Sequence, residues 1–112
     1  MKIGVISEGD TLGSYVAEDF GHAPFFLIVD SETLDYQVVG NEFVNAVDGA
    51  GIKVANAIVA LGVDAVITGG IGSHGIRILE GAGIKVSYDE EGTVEECIND
   101  FKRRAEREAR YS

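Results

Sequence analysis

Two histidines, His22 and His74, and a single cysteine, Cys97, are the side chains of this chain best suited to a transition metal. Glu8, Asp10, Glu18 and Asp19 lie close to His22 in sequence, so a mixed imidazole and carboxylate site is chemically conceivable. His22 and His74 are therefore the candidate metal ligands. The bland alternative is that each is simply a solvated surface residue. Cys97 falls on the apolar stripe of a helix and reads as a core residue rather than a reactive thiol.

The second chemical signal is glycine. The run Thr68-Gly69-Gly70-Ile71-Gly72-Ser73-His74-Gly75 joins an apolar strand to a helix. Missing Cβ atoms let the backbone approach a ligand, and free N–H groups at a helix start suit an anion. The run lacks the Gly-Lys-Ser/Thr of a nucleotide P-loop and the acidic ribose partner of a dinucleotide fold. Glycines needed only for a tight turn would look the same. Ser7, Ser14 and Ser73 have no nucleophile-elbow setting, and no nucleophile–base–orienter set can be assembled. The chain does not read as an enzyme.

Charge narrows the partners. The chain carries a net −10, yet residues 101–112 alone are +3 and residues 1–100 are −13. Such a body repels nucleic acid, whose binding needs a cationic face. Its acidity serves solubility or a basic protein partner. One cysteine cannot form an internal disulfide, in keeping with a reducing cytoplasm. The opening Met1-Lys2-Ile3-Gly4 enters a strand directly without a signal peptide, and no apolar run is long enough to span a membrane.

These groups need elements to hold them. Ile3–Ile6, Phe25–Val29 and Asp35–Gly40 read as three strands forming a meander, the second opened by Pro24. Residues 11–21 have no clear period and read as a loop with one helical turn. Ile52, Ala55, Ile58, Val59 and Leu61 follow helical spacing up to Gly62, a C-terminal cap. Asp64–Thr68 is a buried strand, Gly75–Gly81 a short helix with Ile76, Ile78 and Leu79 inward, and Gly83–Ser87 the last strand. Thr93 and Glu96 form a capping box before a final helix with Val94, Cys97, Ile98 and Phe101 inward.

The order is β-β-β-α-β-α-β-α, an α/β, ribonuclease-H-like arrangement. It predicts one domain over residues 1–112, a five-stranded mixed sheet flanked by three helices. Ligands in such sheets gather beyond the carboxyl ends of parallel strands. Four segments should meet there: Ser7–Asp10, Phe20–His22, Gly49–Gly51 and Thr68–Gly75.

Several of these segments, taken together, resemble a known family. Met1–Ser7, Glu18-Asp19-Phe20-Gly21-His22-Ala23-Pro24-Phe25-Phe26, Gly49–Ile52, Gly62–Gly72, Ala82–Val86 and Gly92–Val94 are similar to the dinitrogenase iron–molybdenum cofactor biosynthesis family of NifX-type domains. The resemblance covers nearly the whole chain. It implies a carrier for an iron–sulfur-type or iron–molybdenum cofactor or its precursor, with protein partners in cofactor assembly. The family commonly places a histidine where this chain has Asp19, so Asp19, Phe20, Gly21 and His22 are expected cofactor contacts. Gly49, Gly51, Gly69, Gly70, Gly72 and His74 complete the expected site. Rival readings are a module for a small anion or phosphate ligand, and an acidic protein–protein adaptor.

Overall fold

The computed structural model describes residues 1–111. Eight elements follow in the expected order: β1 (Lys2–Ser7), β2 (Phe25–Asp30), β3 (Tyr36–Gly40), α1 (Ala50–Ala60), β4 (Ala65–Ile67), α2 (Ser73–Gly81), β5 (Lys85–Ser87) and α3 (Val94–Tyr111). The strands form one mixed sheet ordered β3-β2-β1-β4-β5. β1, β2 and β3 are the antiparallel meander, while β4 and β5 add in parallel beside β1.

The apolar runs of β1, β2 and β4 are buried on both faces, as a sheet covered by helices on both sides requires. Ile6, Phe26, Ile28 and Val66 pack with Val54, Ala55 and Ile58 of α1 and Leu79 of α2. Ile3, Val5, Leu27, Val29, Ala65 and Ile67 pack with Val94, Cys97, Ile98 and Phe101 of α3. Gly62, at φ 70°, supplies the left-handed residue that ends α1. At the start of α3, Thr93 N–H donates to Glu96 Oε1 at 3.0 Å and Glu96 N–H to Thr93 Oγ1 at 3.2 Å.

Three expectations change. Residues 11–21 carry a single hydrogen-bonded turn, Ser14 N–H to Thr11 O at 3.0 Å, rather than a turn of α-helix, and isolated bridges Ser7–Val16 and Tyr15–Thr93 tie the segment to strand and helix ends. Ile52 is exposed, and Val54 is buried in its stead. The inward face of α1 is Ala50, Val54, Ala55 and Ile58, and Ile52 lies about 200° around the axis from Ala50. In α2 only Gly75 and Leu79 are buried, one turn apart, so Ile76 and Ile78 flank that line, half-buried. Among the described residues, no helix is long and apolar enough to cross a membrane.

Candidate functional site

Beyond the carboxyl ends of β1 and β4, a short backbone seam brings distant segments together. Gly69 N–H donates to Ala17 O at 2.9 Å, Gly70 N–H to Glu18 O at 2.7 Å, and Phe20 N–H to Gly70 O at 3.1 Å. Gly69 is required here. A Cβ on it would sit 2.5 Å from Ala17 O and 2.7 Å from Glu18 Cα. The seam delivers the Asp19–His22 segment to the start of α2, where an open pocket of about 390 Å³ forms.

Asp19, Phe20, Gly21, His22, Gly49, Gly51, Gly70, Gly72 and His74 all line this pocket. Gly69 does not, being buried in the seam behind it. The segment Ser7–Asp10, expected at the same place, is also absent. It closes on itself: Ser7 Oγ donates to Gly9 O at 2.7 Å, and Glu8 N–H donates to Tyr15 O at 3.0 Å. The Ser7 hydroxyl and the Gly9 and Glu8 N–H groups are thus engaged within this corner rather than turned to the pocket. Val47 and Ile52 line the pocket without having been expected. Val47 is 93% exposed, and one apolar residue in an irregular segment carries no periodic signal that could have marked it.

Two helices begin at the pocket, and neither is capped. Gly49 precedes α1 and Gly72 precedes α2; neither offers a side chain, and neither helix has an acidic residue in its first turn. The first N–H groups of an α-helix have no partner within it, so both starts present unsatisfied donors and the positive ends of two dipoles.

His22 adds charge. Its Nδ1 lies 2.9 Å from Asp19 Oδ2, and its Nε2 lies 3.1 Å from Ala46 O. A carbonyl and a carboxylate both accept, so this geometry favours the doubly protonated ring, paired with Asp19. Hydrogen bonding to Asp19, then to the Ala46 carbonyl, holds its pKa above the ordinary 6.5. Partial burial pushes the Asp19 carboxyl up, but hydrogen bonds from His22 and Gly21 N–H outweigh it and leave it below 3.8. Asp19 also accepts from Gly21 N–H at 2.9 Å, which fixes the turn that carries His22.

This geometry bears on metal chemistry. With both ring nitrogens engaged, metal ligation by His22 would require Nε2 to give up its bond to Ala46 O, while the Nδ1 bond to Asp19 could persist. His74 keeps its place on the pocket wall, but among the described residues no three His, Cys, Asp or Glu side chains gather as a ligand set. Cys97 is buried under the other face of the sheet. Burial, then Glu90, Asp100 and Glu96, pushes its thiol up to about 11. The site thus fits an anion met by backbone N–H groups, and does not fit a cluster built on protein thiolates.

A mixed α/β sheet with a ligand-sized pocket where two helices start defines the class: a small domain suited to binding. The chain belongs to the dinitrogenase iron–molybdenum cofactor family, whose model matches residues 1–104. It is similar to the orange protein from Desulfovibrio gigas, solved in its apo form, at 34% identity and a TM-score of 0.86, over 91% of this chain and 87% of that one. A Thermotoga protein described as NifB-like is 35% identical with a TM-score of 0.75, over the same shares of the two chains. A dinitrogenase-like protein from Methanocaldococcus jannaschii, 20% identical over 90% of this chain and 86% of that one, shares the fold with a TM-score of 0.61. Among curated proteins, none matches the chain.

Proposed function

We propose that this protein is a non-enzymatic carrier that takes an anionic metallocofactor, or its precursor, as cargo in the pocket. The cargo class is an iron–sulfur-type or iron–molybdenum cofactor, handed on to protein partners in cofactor assembly. One observation carries the reading: two uncapped helix starts converge on one pocket of a chain whose net charge is −10. Local donors are what allow such a chain to hold an anion at all. Family membership supports the choice of cargo.

Backbone N–H groups of residues 50–52 and 73–75, the first of each helix, would hold the cargo, with His22, paired to Asp19, and His74 placing imidazoles on the wall. Val47, Ile52 and Phe20 give the pocket an apolar side, which suits the sulfur-rich surface of a cluster better than a hydrated oxyanion. The absence of a three-group ligand set among the described residues favours a second reading, a small inorganic anion as ligand. Anaerobic titration with isolated iron–molybdenum cofactor, followed through backbone amide shifts, separates the two. The carrier reading expects saturable shifts at residues 49–52 and 70–75. Saturation by inorganic phosphate with no response to the cofactor selects the small-anion reading instead.

A further inference from the structure

The two edges of the sheet are finished differently. β5 has three residues, carries Lys85 and is guarded by α3: Lys85 pairs with Glu108 at 2.9 Å, and Arg104 reaches Ser87 Oγ at 3.4 Å. β3 has five residues, Tyr-Gln-Val-Val-Gly, with no charge, no proline and no strand beyond it. Four of the five are exposed. Natural sheets protect a free edge with short strands, charges, proline or bulges, and β3 has none of these.

The register shows which groups are free. Asp30 N–H donates to Asp35 O and Asn41 N–H to Pro24 O, both at 2.9 Å. In the β2–β3 pairing, Gln37 faces Ile28 and Val39 faces Phe26. Alternation along the ladder then turns the backbone groups of Gln37 and Val39 toward β2, and those of Tyr36, Val38 and Gly40 outward. The side chains of Tyr36 and Val38 share one face and are 39% and 44% exposed. Gly40 is unexplained by its own fold, since a Cβ there meets nothing within 4 Å and its φ is not positive.

The geometry points to a second copy of this chain as the occupant of that edge, with β3 pairing antiparallel to β3 about a two-fold axis at Val38. Of the antiparallel registers, this one pairs every outward group of the strand. Val38 meets the partner's Val38, and Tyr36 meets the partner's Gly40, each as a hydrogen-bonded pair. The Tyr36 ring then covers a position that has no side chain, which accounts for glycine at 40. No like charges oppose each other, because the first charged position, Asp35, falls opposite the partner's Asn41. No residue of β3 lines the ligand pocket, so pairing and cargo binding stand or fall separately.

Sedimentation equilibrium of the full chain at physiological salt, where charge repulsion is screened beyond about 8 Å, tests the pairing. A monomer–dimer equilibrium is expected between micromolar and millimolar protein. Amide exchange at Tyr36, Val38 and Gly40 should slow as concentration rises, while Gln37 and Val39 stay protected throughout. Val38→Lys sets like charges face to face and should weaken association by at least about tenfold. Gly40→Val, which has open space in its own chain, should do the same by displacing Tyr36. Protection at Gln37 and Val39 certifies that each variant is folded. A chain that stays monomeric at millimolar concentration, or a dimer that leaves the three outward amides unchanged, overturns the proposal. So would folded variants that associate like the parent.

Discussion

The starts of α1 and α2 and the start of α3 solve the same problem in opposite ways. All three leave N–H groups without partners inside the helix. At α3, Val94 and Glu95 N–H donate to Ser14 O and Leu12 O, Thr93 and Glu96 satisfy each other's N–H reciprocally, and Glu95 and Glu96 place negative charge at the positive end. At α1 and α2, glycine stands at the cap and no carboxylate follows. The capped helix covers one face of the sheet; the uncapped pair opens on the pocket. The difference teaches that the helix starts at the pocket keep free the donors that a side chain takes up at α3, as the proposed anion binding requires.

The largest effect should come from the seam that assembles the open end. Gly69→Ala drives a methyl group into the backbone of Ala17 and Glu18 and should cost about 3 kcal/mol, the upper end of ordinary overpacking. Chemical denaturation measures it. The matched control is Gly9→Ala, where the nearest atom is the Ser14 hydroxyl at 2.3 Å. A hydroxyl can turn away, so that change should cost clearly less.

Gly72→Asp converts the open end into a capped one. Gly72 already has extended backbone, φ −77° and ψ 164°, and a Cβ meets nothing within 4 Å. The new carboxylate should raise stability by a few tenths of a kcal/mol while lowering affinity for an anionic ligand by at least about tenfold. Thermal melting and equilibrium dialysis read the two changes. Thr93→Ala is the inverse experiment: it should cost about 1 kcal/mol of stability and leave ligand affinity unchanged.

The smallest effect concerns the imidazolium. Removing the carboxylate with Asp19→Asn should bring the His22 titration down toward 6.5, measured by proton NMR of the ring. The sign follows from linkage. Because folding raises this pKa, the pair's contribution is full below about pH 6.5 and is lost as pH rises through the folded value. Binding of an anion should weaken over the same rise.

Much of this contrast was legible in the sequence. Apolar runs bounded by Pro24, Gly62 and Gly83 mark the elements, and Thr93 with Glu96 spells out a capped start. Glycine-rich run and histidines both point to the carboxyl edge, and most of the expected site residues do share one pocket. What the sequence hid depends on tertiary contacts. Ser7–Asp10 has the right position but folds back through Ser7 Oγ, Gly9 and the Glu8–Tyr15 bond, away from the pocket. Val47 enters the wall from an irregular segment. The pairing of His22 with both Asp19 and Ala46 O depends on a contact 24 residues away, and it occupies the nitrogens that made His22 look like a free ligand.

The most direct test is an anaerobic amide-shift titration of the parent chain and Gly72→Asp with isolated iron–molybdenum cofactor. Saturable shifts at residues 49–52 and 70–75 in the parent, reduced in Gly72→Asp, with the amides of Thr93–Glu96 unmoved in both, are the result predicted. Shifts at the start of α3, or none at the starts of α1 and α2, would contradict the claim that a ligand caps those helices.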